Sequence, residues 1–217
     1  MKEKKYIIFD LDGTLLDTSS GLMKGIDFVA TAFRLNALSE TEKKSFIGPP
    51  IETGLREKYG LSGERLREAA ALFRKVYEEQ FLFDATPYPK MEECLLQLRK
   101  QGRRLSVATN KRESYAQPLM QRFNIVELCD FTRGSLDNSE TKEALIELCL
   151  QALQCENRAE AVYIGDTLHD RTSAESCGID FVGVTFGFGF SSRKTIMNTG
   201  AIAAASSFSD LLRIFTP

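Results

Sequence analysis

The sequence of 217 residues is poor in the side chains that several common kinds of protein need. It has one histidine, His169, which makes a Ser-His-Asp triad or a metal site with several histidines hard to build. Its 28 Lys and Arg residues nearly balance 30 Asp and Glu residues, so no overall positive field exists to bind nucleic acid or an anionic membrane. The chemistry must therefore rest mainly on carboxylates, hydroxyls and lysines.

The sequence also lacks the patterns that are typical of disulfide frameworks, zinc clusters and membrane spans. The five cysteines are odd in number, widely spaced and without a C-x-x-C pair, which predicts reduced, partly buried thiols. No run approaches the ~18–20 apolar residues of a membrane span. The four apolar residues at 6–9, after the charged N-terminus, are too few for a signal peptide. We therefore expect a cytoplasmic protein.

The hydrophobic pattern predicts an α/β fold. Short apolar runs alternate with segments of helical periodicity, as in a parallel sheet with crossover helices. These runs lie at 6–9, 105–108, 161–164 and 181–184. Within the segment 141–153, a predicted helix should face the sheet with Ala144, Leu145, Leu148 and Ala152. The small-residue segment 201–207 is too short to count as a low-complexity tract.

The character of the sequence changes between Ser19 and Asp84. Strand-like runs are absent there, amphipathic patterns follow one another, and Ser39 with Glu42 forms a capping box. The length allows one domain with an insertion. We therefore predict a doubly wound, Rossmann-like parallel sheet at 1–18 and 85–217, and an inserted all-helical domain at 19–84.

Acidic residues follow the first predicted strand. Asp10 and Asp12 are two positions apart, and Gly13 allows a sharp turn that lets both carboxylates converge. Ligand sites of open α/β sheets lie at the carboxyl ends of strands. Two carboxylates in one small volume repel each other unless a cation or a proton neutralises them. Mg²⁺, which prefers oxygen ligands, is the expected cation.

Three further segments add to this site. Asp166 and Asp170 follow the run at 161–164, and Thr109-Asn110 offers a hydroxyl and backbone N–H groups at an expected helix start. Lys142 lies near the start of a predicted helix, where the macrodipole disfavours a cation, which suggests a bound anion nearby. Taken singly, the D-x-D after the first strand could be a solvated turn, Thr109 a helix cap and Lys142 a surface lysine. Their order at strand ends and helix starts of one sheet instead favours phosphoryl transfer through an aspartyl-phosphate.

The four segments resemble the motifs of the haloacid dehalogenase-like hydrolases, and the resemblance covers essentially the whole chain. The matching segments are Asp10-Leu11-Asp12-Gly13-Thr14, Thr109, Lys142, and Gly165-Asp166 with Asp170. An insertion directly after the first motif resembles the family's helical cap of the first type. The segments 46–50 and 187–189 are similar to phosphoglycolate phosphatase-like and 5′-nucleotidase-like members.

The resemblance implies a role for each residue. Asp10 would attack phosphorus and share Mg²⁺ with Asp166 and the main-chain carbonyl of Asp12. Asp12 would act as general acid and then as general base. The groups implied to hold the phosphoryl oxygens are Thr109, the Asn110 backbone and Lys142. Asp170 would order Lys142 or a metal-bound water.

These implications predict a Mg²⁺-dependent phosphatase acting on a small phosphorylated metabolite, with substrate choice residing in the cap and with neither nucleic acid nor membrane as a partner. Asp12 argues against the dehalogenase and ATPase branches of the family. A phosphomutase using the same intermediate and a non-enzymatic binding module remain alternatives.

Three features outside the motifs have structural interpretations. His169 is interpreted as a loop residue, and Pro118 predicts a helix that is kinked or begins late. The glycines around Phe188 are interpreted as a mobile loop at the rim of the site.

Overall fold

The computed structural model describes residues 1, 3–136 and 140–216. The chain forms two units, one of Met1–Asp17 with Pro87–Pro217 and one of Thr18–Thr86. None of the helices in these residues combines the length and apolar character needed to cross a membrane.

The larger unit is built on a six-stranded parallel sheet, with strand order β5-β4-β1-β6-β7-β8. Its strands are β1 (Tyr6–Phe9), β4 (Arg104–Arg112), β5 (Phe131–Ser135), β6 (Ala161–Gly165), β7 (Asp180–Val184) and β8 (Ala203–Ala205). Two short strands, β2 (Leu16–Asp17) and β3 (Thr86–Pro87), pair where the chain leaves and rejoins this unit.

Helices connect the parallel strands of the larger unit. They are α5 (Met91–Lys100), α6 (Glu113–Arg122), α7 (Ile125–Leu128), α8 (Lys142–Ala152), α9 (Leu168–Ser176), α10 (Arg193–Met197) and α11 (Phe208–Phe215). Every residue of β6 is buried, which explains its apolar run, because a central parallel strand contacts other elements on both faces. The predicted doubly wound parallel sheet is confirmed.

The smaller unit is helical. Its helices are α1 (Ser19–Ala32), α2 (Glu40–Lys44), α3 (Ile51–Tyr59) and α4 (Gly63–Val76), and a π-helical turn follows at Tyr77–Phe81. The predicted capping box forms at α2, where the Ser39 side chain accepts from the Glu42 N–H and the Glu42 carboxylate accepts from the Ser39 N–H.

One sequence-based prediction about the larger unit is wrong. No helix begins at Thr109-Asn110, because β4 continues to Arg112 and α6 begins at Glu113, with Pro118 inside it. The edge strand β8 was not predicted from the sequence, because its three alanines give no β-branched signal.

The predicted sheet-facing side of α8 is also wrong in part. Leu145 is buried as expected, but Ala144 and Ala152 are exposed. The buried side instead carries Lys142, Leu145, Ile146, Cys149 and Leu150. Large apolar side chains gain more from burial than alanine does, and this rotation turns Lys142 inward.

Candidate active site

The site lies where the strand order reverses. From β1 the chain moves outward through β4 to β5, and it then returns to β6 on the other side of β1. Asp10 directly follows β1, and its N–H donates to the Ile164 carbonyl of β6 at 2.9 Å. Asp166 directly follows β6. Open α/β sheets bind ligands at this reversal point, at the carboxyl ends of the strands.

Lys142 joins two of the aspartates. Its Nζ donates to Asp10 Oδ1 at 2.6 Å and lies 2.8 Å from Asp170 Oδ1. All three side chains are buried. Lys142 is the first residue of α8, and the Thr141 hydroxyl caps that helix. The helix start therefore places an ammonium group beside the carboxylate that follows β1.

Tyr163 completes this network, although the sequence analysis did not select it. Lys142 Nζ donates to the Tyr163 hydroxyl at 3.1 Å, and that hydroxyl donates to the Ala108 carbonyl at 2.7 Å. The sequence did contain a signal for Tyr163, because it is a single hydroxyl-bearing side chain inside the apolar run of β6. A buried hydroxyl needs a hydrogen-bond partner.

Burial dominates the electrostatics of Asp10. It raises the pKa of this carboxyl group; the Lys142 ammonium opposes the rise, the charges of Asp170 and Asp166 add to it, and the result is a pKa of about 8. Burial on its own lowers the pKa of Lys142. The carboxylates of Asp10 and Asp170 more than offset this effect and raise the pKa to well above its usual value. Lys142 is therefore a firmly held cation.

Asp166 has one oxygen with partners and one without. Its Oδ2 accepts from the N–H groups of Phe188 at 2.6 Å and Gly189 at 3.1 Å. Its Oδ1 is buried and has no hydrogen-bond partner among the described residues. Burial and the neighbouring Asp170 charge raise the pKa of Asp166 to about 6. The glycine loop predicted to be a mobile rim thus supplies backbone donors to the site.

The carboxylates fit a divalent cation. Asp10, Asp166 and Asp170 each offer an oxygen, and these oxygens lie within 4.8 Å of one another. One ammonium group faces the three carboxylates, so two negative charges remain to be balanced when all are ionised. An orphaned buried oxygen on Asp166 and an all-oxygen donor set match the preference of Mg²⁺.

The two carboxylate oxygens of Asp170 make different contacts. Its Oδ2 accepts from the N–H and the hydroxyl of Thr167, at 3.0 and 2.6 Å, and so forms the capping box of α9. Its Oδ1 faces Lys142. The helix start therefore fixes the carboxylate in the orientation that contacts the ammonium group.

The Asp12 carboxylate is not a member of the group of three. Its two oxygens contact Lys111 Nζ at 3.1 and 3.4 Å. Gly13 follows with a φ of +80°, which permits the turn after β1. Lys111 was not selected from the sequence, because no helical or strand period marks it.

Thr109 and Asn110 lie within β4 rather than at a helix start. Thr109 is buried, and its Oγ1 accepts from the Lys111 N–H at 3.2 Å. Asn110 is exposed, and its Nδ2 lies 3.3 Å from Nε2 of His169. His169 belongs to the first turn of α9 and not to a loop, as we had interpreted it.

Comparison with known proteins shows the family of this chain. Residues 7–184 match the family model described as haloacid dehalogenase-like hydrolase. The chain belongs to the haloacid dehalogenase-like hydrolases. A solved structure of this family from Streptococcus pneumoniae superposes with a TM-score of 0.89 at 27% identity, covering 100% of both chains.

Two curated relatives of this haloacid dehalogenase-like hydrolase carry activity names. A 5′-nucleotidase from Pseudomonas aeruginosa is 31% identical over 187 residues, or 84% of this chain and 83% of that protein. A phosphoglycolate phosphatase from Photorhabdus laumondii is 28% identical over 221 residues, or 98% and 92% of the two chains. The prediction of a phosphoric monoester hydrolase of this family is confirmed.

Proposed function

We propose that this protein is a Mg²⁺-dependent phosphatase that hydrolyses a small phosphate monoester through an aspartyl-phosphate on Asp10. The observation that carries the proposal is the contact between Asp10 and Lys142 at the reversal point of the sheet, 2.6 Å long and beside Asp166 and Asp170. A carboxylate held next to a cation and a cation-binding group of acids is suited to attack on phosphorus.

Asp10, Asp166 and the main-chain carbonyl of Asp12 would hold Mg²⁺. The unpartnered Oδ1 of Asp166 supports this choice. When bound, the metal ion would offset negative charge on the carboxylates and on the phosphoryl oxygens. In its absence, the raised pKa of Asp10 favours the protonated and unreactive form.

In the first step, a carboxylate oxygen of Asp10 forms a bond to phosphorus while the bond to the ester oxygen breaks. Asp12 would give a proton to the leaving alcohol. The phosphoryl oxygens would be held by Lys142, the Thr109 hydroxyl and the Asn110 backbone. Asp170, itself fixed by Thr167, would keep Lys142 in place.

In the second step, the ionised Asp12 takes a proton from water, and the water oxygen attacks phosphorus. The bond between phosphorus and Asp10 breaks, which releases inorganic phosphate and restores both carboxyl groups. The same residue thus serves as acid and then as base.

The substrate class is inferred from the relatives. The names 5′-nucleotidase and phosphoglycolate phosphatase both describe enzymes for small phosphate monoesters. We propose a nucleoside monophosphate or a phosphoglycolate-like compound as substrate, with residues 19–84 acting as the cap that selects it. A cytoplasmic location stays a prediction.

The test is a screen of phosphorylated metabolites with Mg²⁺, scored by kcat/KM and by steady-state release of inorganic phosphate. Asp10→Asn should abolish release while circular dichroism stays unchanged. Wild-type activity in this variant, or an unchanged rate in EDTA, would contradict the proposal. Product isomers with little free phosphate would instead indicate a phosphomutase.

A further inference from the structure

The four aspartates of the site form two sets, and a different lysine contacts each set. Lys142 contacts Asp10 and Asp170, and together with Asp166 these two carboxylates form the group of three. Lys111 contacts Asp12, whose carboxylate is not a member of that group although only Leu11 separates it from Asp10 in the sequence.

The contact between Lys111 and Asp12 fixes the orientation of the Asp12 carboxylate. The ammonium group reaches both carboxylate oxygens, at 3.1 and 3.4 Å. The two side chains are only 10% and 21% exposed, so solvent screens their attraction less than that of a surface ion pair. Such a contact restricts the carboxylate to a narrow set of rotamers.

The backbone around Lys111 explains how its side chain reaches Asp12. The pairing of β4 with β5 shifts register between Thr109 and Arg112, and irregularities of this kind re-aim side chains next to active sites. The Lys111 N–H also donates to Thr109 Oγ1. One residue thus contacts both the proposed acid and base and a proposed phosphoryl-binding hydroxyl.

We propose that Lys111 is a positioning residue, which holds the Asp12 carboxylate away from the Asp10, Asp166 and Asp170 group and directed at the leaving oxygen of the substrate. The inference rests on the proposed function, in which Asp12 protonates that oxygen. Without Lys111, the Asp12 side chain can rotate to other staggered orientations, including ones in which no proton reaches the leaving group.

The test compares two leaving groups in Lys111→Met. An alkyl alcohol leaves only when it receives a proton, whereas p-nitrophenolate leaves readily without one. kcat/KM reports the steps up to departure of this group. We expect kcat/KM for an alkyl phosphate, the best substrate of the metabolite screen, to fall about 100-fold. For p-nitrophenyl phosphate it should fall less than about threefold, because acid catalysis contributes little there.

Three controls separate positioning from a general effect. Lys111→Arg, which keeps the cation, should recover most of the lost activity on the alkyl phosphate. Lys100→Met, a change of an exposed lysine in α5, should alter neither substrate. In an Asp12→Asn background, Lys111→Met should cause no further loss. If Lys111→Met does not fold, Lys111→Gln serves for the same comparison.

Equal losses for both substrates, or a rise in KM with unchanged kcat, would overturn the inference and make Lys111 a substrate-binding or structural residue. An additional loss in the Asp12→Asn background would also overturn it. These outcomes are distinguishable from failure of the proposed function, which retained activity in Asp10→Asn would reveal whatever Lys111 does.

Discussion

Lys142 Nζ lies 2.6 Å from Asp10 Oδ1, and the two buried residues are contributed by segments 132 positions apart in the chain. We expect Lys142→Met to lower kcat by about 100-fold or more, because the variant loses the preorganised cation that we propose holds the phosphoryl oxygens. A fixed-time assay of inorganic phosphate release would measure this decrease in kcat. The variant should still bind Mg²⁺, as shown by a thermal shift. A rate near that of the wild type would show that Lys142 serves stability alone.

The pH dependence of stability follows from the raised pKa values of the acidic group. Asp10 has an ordinary pKa of 3.8 and one of about 8 in the folded protein, and Asp166 moves from 3.8 to about 6. The folded state therefore binds these protons more tightly than the unfolded state. Their stabilising contribution is complete below about pH 4 and is lost as the pH rises through 6 and 8.

In EDTA, we thus expect the free energy of unfolding in urea to fall by at least about 1 kcal/mol between pH 5 and pH 8. Mg²⁺ should restore it, with an effect that grows with pH because protons and metal compete for the same oxygens. Asp166→Asn should weaken the Mg²⁺ effect, whereas Asp180→Asn, at the start of β7, should not. Equal stabilisation by Mg²⁺ at pH 5 and pH 8 would contradict this account.

Gly187 allows the loop after β7 to approach Asp166. A Cβ at this position would collide with the Gly13 carbonyl and with the Asp166 carboxylate. Gly187→Ala should therefore displace Asp166 and lower the apparent Mg²⁺ affinity by about tenfold or more. Gly102→Ala is the matched control, since its added Cβ meets no atom within 4 Å and adds only the strain of a φ of +80°. Equal Mg²⁺ affinities in the two variants would argue against a supporting role for this loop.

The sequence was informative where one chemical requirement decided the local structure. β1 forms at Tyr6–Phe9 as predicted, because an apolar run between charged segments suits a central parallel strand. Asp10, Asp166, Asp170 and Lys142 come together because their strand ends and helix start are neighbours in the sheet. Candidate site residues at strand ends can therefore be predicted before the strand order is known.

Other features depend on contacts that no local pattern encodes. The extension of β4 through Arg112 depends on its pairing with β5, a strand with the weak signal Phe131-Thr-Arg-Gly-Ser. Lys111 acquires its contact with Asp12 only through that extension. The support of Asp166 by Phe188 and Gly189 uses backbone N–H groups, which any residue type except proline supplies.

The cysteines give a test of burial that is independent of catalysis. Burial raises the pKa of four of the five thiols to about 12; these are Cys94, Cys129, Cys149 and Cys177. Cys155 is more exposed. A thiol reagent should therefore label Cys155 first in the native protein at pH 8, since reaction needs access and thiolate. Cys155→Ser should remove the fast phase, and a second cysteine labelled at the same rate would contradict the packing.

The most direct test of the central claim is to trap the phosphorylated protein. Asp12→Asn lacks the proposed base, while p-nitrophenyl phosphate needs little acid, so this variant should accumulate the proposed intermediate. After acid quench, peptide mass spectrometry should find one phosphoryl group on Asp10, removable by hydroxylamine as expected for an acyl phosphate. The variant could instead release p-nitrophenol without any phosphoryl group being found on the protein, or with one found on another residue. Either result would contradict nucleophilic catalysis by Asp10.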